Sequence, residues 1–137
     1  MDVKQAQHAA RSFLMGSIRC LEQRPLPDGQ FEMLVAPAAV CAALSAEIGL
    51  KAIILKEGRT ARGHVISDLF GSVSNISQDA IVKEVGLPRK QFERLLAVHS
   101  EAFVEWRYAY ESDKLYVDFS FLTALASAIG AVADRLG

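Results

Sequence analysis

The sequence predicts an all-α fold, an antiparallel bundle of about five helices, in a single domain covering residues 1–137. Three observations lead there. Apolar residues recur at three- and four-residue steps over long segments, the spacing that gathers them on one face of a helix. The four prolines and nine glycines are clustered, so long uninterrupted stretches remain between them. Hydrophobic residues make up 51% of the chain, above the roughly 45–50% of ordinary globular chains, so the helices have a core to bury.

The first helix is expected over residues 3–23, with Ala6, Ala10, Phe13, Leu14, Ser17, Ile18 and Leu21 facing inward. Pro25, Pro27, Asp28 and Gly29 then end it in a turn. The second helix should begin at Ala36 or Pro37 and run to about Glu57, with Gly58 as its stop. Val40, Ala43, Leu44, Ile48, Leu50, Ile54 and Leu55 wrap most of its circumference, which makes it the expected central helix. Glu47 and Lys51 interrupt that apolar surface one turn apart, acid first, the favourable order for a helical ion pair.

A basic loop containing Arg59 and Arg62 leads to a short third helix over residues 64–73, with Ile66, Leu69, Phe70 and Val73 inward. Ser77 is expected to cap a small helix that Gly86 closes. Pro88 opens the fourth helix, residues 88–110, whose inner stripe is Phe92, Leu95, Leu96, His99, Phe103, Trp106 and Tyr110. Asp118 can cap the last helix, with Val117 and Leu122 as a hydrophobic staple. Leu122, Leu125, Ile129, Val132 and Leu136 form its stripe. Only residues 114–117 hint at a strand, too short to found a sheet. Short loops between long helices favour antiparallel neighbours.

Charge and composition narrow the function classes. Fifteen basic side chains face sixteen acidic ones, for a net charge of −1. A dedicated duplex-binding protein carries a large basic excess, and this chain has none, although a local basic patch remains open. Cys20 and Cys41 read as two buried free thiols in a reducing compartment. No secretory-type apolar run follows Asp2 and Lys4, and the apolar stretch over residues 33–55 contains Pro37, Glu47 and Lys51. It reads as a core helix and not a membrane span, so a cytoplasmic location without a membrane partner is the expectation. The three histidines fall on separate helices, and no Gly-rich phosphate loop, Ser-His-Asp order or HExxH occurs. Neither a metal nor a cofactor is expected.

Three segments resemble the HEPN family. Ala42-Ala43-Leu44-Ser45-Ala46-Glu47-Ile48-Gly49-Leu50-Lys51-Ala52 is similar to its Ala-rich helix carrying a Glu and a following Leu-Lys. Gly63-His64-Val65-Ile66-Ser67-Asp68-Leu69-Phe70 resembles its GH-x-L-x-x-L-F turn and short helix. Phe103-Val104-Glu105-Trp106-Arg107-Tyr108-Ala109-Tyr110-Glu111 resembles its F-x-x-x-R-Y-x-Y-E helix. They occur in the family's order across most of the chain. The resemblance implies a helical bundle, often a homodimer, tied to nucleotide or RNA chemistry. Some members are toxin-like ribonucleases, some pair with a nucleotidyltransferase, and others have no demonstrated activity. Fold alone does not choose among these.

HEPN ribonucleases are similar to one another in an Arg followed four to six residues later by His. The pairing makes chemical sense, since arginine can hold a phosphate and histidine can move a proton near neutral pH. Arg94 and His99 form one candidate catalytic pair. Their offset turns about 140° around a helix, so they do not share a face. Leu95 also stands where active members carry a polar residue. His99 reads alternatively as a core-edge histidine hydrogen-bonded inside the bundle. Arg59 and His64 form a second match, across the basic loop, as candidate ligand-binding residues. The plainer alternative has His64 capping the third helix and bonding locally, for instance to Glu47.

A further constellation joins Glu47, Lys51, Arg107 and Glu111. Buried charges must be paired or they cost several kcal/mol, which makes a structural polar cluster between two helices the plainer reading. The functional alternative is an anion or nucleotide pocket with Lys51 and Arg107 as ligands and Tyr108 or Trp106 as a stacking surface. His8, alone on the first helix, reads as solvated.

These readings lead to three functions. The first is a non-catalytic HEPN-like module that dimerises and serves as a partner or nucleotide/RNA-binding scaffold. The second is a metal-independent endoribonuclease acting as a toxin or defence protein. The third is a structural helical subunit with no ligand.

Overall fold

The computed structural model describes residues 2–106 and 117–136, with residues 101–106 described as helical backbone. Six helices and one small hairpin follow in chain order: α1 (Val3–Cys20), β1 (Arg24–Pro25), β2 (Phe31–Glu32), α2 (Val35–Lys56), α3 (Ile66–Ser72), α4 (Asn75–Val85), α5 (Arg89–Trp106) and α6 (Phe119–Arg135). The all-α expectation holds.

Helix α1 starts at a capping box. Asp2 accepts from the Gln5 amide at 2.8 Å, and the Gln5 side chain accepts from the Asp2 amide at 3.2 Å. It ends at Cys20, short of the expected residue 23. The chain then forms a two-residue antiparallel hairpin, with Arg24 opposite Glu32 and Pro25 opposite Phe31. These strands lie outside the segment the sequence marked, and of residues 114–117 only Val117 is among the described residues. Two residues are too few for an alternating pattern to register.

Helices α1 and α2 pack through small residues. Ala6, Ala10 and Ser17 are the buried positions of α1, while Ile18 is exposed and Phe13, Leu14 and Leu21 are half-buried. The apolar face is therefore wider than the seam it feeds. Two buried hydroxyls lock that seam, with Ser17 donating to the Ala38 carbonyl and Ser45 to the Ala10 carbonyl, both at 2.7 Å. Against α6 the packing of α2 is tight enough that a Cβ on Gly49 would lie 2.6 Å from Ile129 Cγ2.

Helix α2 touches α1, α3, α5 and α6, as expected of the central helix. By length and composition it could cross a membrane, but most of it is buried inside the bundle. It ends at Lys56 with Glu57 as its C-cap, after which Gly58 adopts φ +80°. At the far end of the bundle, Lys56 donates to the Ala133 and Leu136 carbonyls and so caps the C-terminus of α6. The core continues through rings. Phe70 of α3 meets Phe92 of α5 at 5.1 Å, and Phe92 meets Phe121 of α6 at 5.8 Å.

Two capping assignments need correction. Ser74, not Ser77, is the N-cap of α4, and it accepts from the Ser77 amide at 3.2 Å. Both serines suit a cap, and only the backbone path decides between them. His64 does not cap α3, whose N-cap is Val65 without a side-chain bond. Gly86 and Asp118 take their expected roles, Gly86 in the left-handed region at φ +82° and Asp118 accepting from the Phe121 amide at 3.0 Å.

Candidate functional site

Glu47 lies on the buried side of α2 with its side chain only 6% exposed. A carboxylate there needs a partner, because desolvation without one costs several kcal/mol. Lys51, one turn on, donates to Oε2 at 3.2 Å. The chain then leaves α2, turns through Gly58 and Gly63, and brings His64 back over the same carboxylate. His64 Nδ1 stands 3.2 Å from Glu47 Oε2. The imidazole is otherwise open, with 69% of its side chain exposed. Glu47 Oε1 is buried and has no hydrogen-bond partner among the described residues.

Several features hold this loop. The Arg59 amide donates to the Ile54 carbonyl at 3.1 Å, and Ala61 packs against the core. Gly63 has φ +91°, a conformation that side chains with a Cβ rarely adopt. Beyond His64, the Ser67 amide donates to the buried Ser100 hydroxyl at 2.9 Å, which ties the start of α3 to α5. The loop's two arginines differ. Arg59 pairs with Glu57 at 2.8 Å, whereas Arg62 is exposed with no ion pair among the described residues. Glu47 thus holds Lys51 and His64, while Glu57 holds Arg59.

The structure does not assemble the Arg94–His99 pair. Arg94 is exposed and makes no hydrogen bond or ion pair among the described residues. His99 is 1% exposed and stacks on Phe121 at 5.2 Å. Its Nδ1 donates to the Leu95 carbonyl at 2.8 Å, and its Nε2 accepts from the Asp118 amide at 3.0 Å. An imidazole with both nitrogens taken by backbone has none left for proton transfer to a ligand. The helical offset of the two residues separates them, and the core-edge alternative describes His99.

Of the polar cluster, Glu47 and Lys51 come together as expected. Arg107, Glu111 and Tyr108 lie outside the described residues, as does the side chain of Trp106. Arg59 and His64 share the loop but bond to different carboxylates, Glu57 and Glu47. His8 is exposed. Among the described residues no group of three His, Cys, Asp or Glu is placed to hold a metal ion.

Glu57 was not singled out by its sequence position, yet it joins two elements at the edge of this loop. It accepts from the Ser74 amide at 2.9 Å and from the Ser77 hydroxyl at 2.8 Å. Burial raises its pKa, but the Ser74, Ser77 and Arg59 donors outweigh burial and hold it at about 2. The signal available was an acid just before a helix-ending glycine, which says nothing about its distant partners. A groove of about 280 Å³ lies elsewhere, between α1, α2 and α6. It is lined by Ala10, Ser45, Gly49, Ala126 and Gly130, with Arg11 and Asp134 paired at its rim at 3.7 Å. Its one carboxylate, Asp134, is exposed and already bonded to Gln7 and Arg11.

No known family model matches the sequence, and no curated protein does. Among solved structures, the chain is similar to the crystal structure of TT1696 from Thermus thermophilus, at 20% identity and a TM-score of 0.58. The match covers 98% of this chain and 94% of that one, so the likeness extends over the whole helical fold.

Proposed function

We propose that the chain is a HEPN-like helical module that holds the phosphate of a nucleotide or RNA at the loop after α2 and does so without catalysing a reaction. The observation that carries this is the run of Arg59, Arg62 and His64 along one loop, with Arg62 exposed and unpaired among the described residues and His64 facing solvent. Guanidinium and imidazole donors suit a phosphate, and a small basic patch on a chain of balanced charge suits a short or single-stranded ligand better than a long duplex. The resemblance adds a homodimeric assembly and a nucleotidyltransferase as the partner protein.

Anisotropy of a labelled RNA oligonucleotide, measured in EDTA across a salt series, tests the reading. Binding is expected, and Arg59→Ala and Arg62→Ala should each lower the salt slope by about one, as for a lost phosphate contact. Unchanged slopes in both variants would remove the site. Gel analysis of the same samples covers the second reading, a metal-independent endoribonuclease of the toxin or defence type. The specific observation in its favour is His64, held by a carboxylate at Nδ1 with its other edge free, the arrangement that makes a histidine a general base. Cleavage lost in His64→Ala and kept in His99→Ala would select that reading, and intact RNA throughout selects the module.

A further inference from the structure

We infer that Glu47 is a positioning residue for His64, accepting its Nδ1 proton so that Nε2 is the ring nitrogen presented to a phosphate or hydroxyl of bound RNA. This rests on the loop being the phosphate site, and it names the atom that makes contact there.

The geometry is asymmetric. Glu47 is on a buried part of α2, and Lys51 donates to its Oε2 at 3.2 Å. His64 lies 3.2 Å from that oxygen and is 69% exposed. A neutral imidazole has one N–H, and the nitrogen facing an ionised carboxylate must carry it. Nε2 is then bare in the neutral ring, and in the imidazolium it is the N–H directed away from Glu47. Both states place an exchangeable site on the outward edge. The charged groups that the structure places at the ring are Glu47, 3.2 Å from Nδ1, and Lys51, bonded to the same carboxylate oxygen.

Orientation, more than stability, is the purpose this contact fits. A polar pair with one partner mostly in solvent contributes little to stability, so the fold gains little from His64. Glu47 already has Lys51 for charge compensation. The loop is also tied down beyond His64 by the Ser67–Ser100 bond.

Long-range ¹H–¹⁵N correlation of the intact chain reads the tautomer directly, without any ligand. The expected result is Nδ1–H with an unprotonated Nε2 in neutral His64, moving toward Nε2–H in Glu47→Ala. Glu47→Gln, whose amide oxygen can still accept, should retain the original tautomer and guards against loss of fold in Glu47→Ala. Labelled RNA supplies the second arm. His64→Ala and Glu47→Ala should each weaken binding roughly threefold to tenfold, the worth of one polar contact. The double variant should be no weaker than either single one, because both remove the same presented atom. An Nε2–H tautomer in the unmodified chain overturns the inference, as do additive effects of the two substitutions on RNA binding. Absence of any RNA binding with the Nδ1–H tautomer present sinks the phosphate-site reading and leaves the positioning of His64 by Glu47 standing.

Discussion

The Glu57 carboxylate sits where α2 ends and meets the first turn of α4, taking hydrogen bonds from Ser74 and Ser77. It acts there as the anion that a helix N-terminus attracts. Its pKa falls from 4.5 to about 2 on folding. A depressed carboxylate stabilises the fold fully above its unfolded pKa and loses that contribution as pH falls through the folded one. The window is therefore pH 4.5 down to about 2. A shift of this size corresponds to about 3 kcal/mol at most, and about 1–3 kcal/mol is a fair range for a side chain with some exposure. Glu57→Gln should lower stability at pH 7 by that amount and flatten the loss of stability across the window. Urea unfolding at a series of pH values measures both. An unchanged acid slope would show that the serine bonds do not hold the charge. Nothing near Glu57 in the sequence points to this role, because its partners lie a whole helix away and only the fold brings them close.

Most of the bundle was legible at the scale of elements, because helical periodicity survives in any long segment. The departures have local causes. The hairpin of β1 and β2 is too short to show a period, and α1 has an apolar face broader than the small-residue seam it buries. The two histidine-containing pairs show where spacing stops being informative. Arg94–His99 and Arg59–His64 are both five apart, but the first pair lies along one helix that buries its imidazole and the second spans a loop that exposes it. Spacing along a chain does not reveal which nitrogen is already bonded. The connection from α2 to α3 is therefore the element to disturb. Gly63 has φ +91°, and any Cβ there is strained by about 1–2 kcal/mol. No atom lies within 4 Å of the added Cβ, so backbone strain and not a clash is the whole effect. Gly63→Ala should lower the denaturation midpoint accordingly and pull His64 off Glu47, which the tautomer measurement would register. A variant as stable as the parent, with the same His64 tautomer, would mean that the turn does not place the histidine.

At the scale of the whole molecule, the exposed apolar surface is uneven. Phe31 is 65% exposed, and Leu26, Met33, Leu34 and Val35 are exposed beside it in sequence. The Leu34 amide donates to the Cys20 carbonyl at 3.0 Å, which draws this strip against the end of α1, where Ile18 is also exposed. Single exposed apolar residues are ordinary, and several close together in the chain are what a partner surface would cover. A two-fold contact would cover it with its own copy, since such an interface asks one patch to be complementary to itself. The strip lies on the hairpin and the first residues of α2, while His64 follows the other end of that helix. Self-association through the strip would thus leave the loop that carries His64 open on each subunit. Light scattering on the eluting protein should report a dimer at micromolar concentration, and the pair Phe31→Ser with Leu34→Ser should convert it to a monomer of unchanged helical content. Both positions are exposed in the isolated chain, so their loss should cost the fold little. RNA binding per subunit should persist in that monomer if the loop is the site. A dimer that survives both serines would place the contact on another face, and a monomeric parent chain would remove self-association altogether.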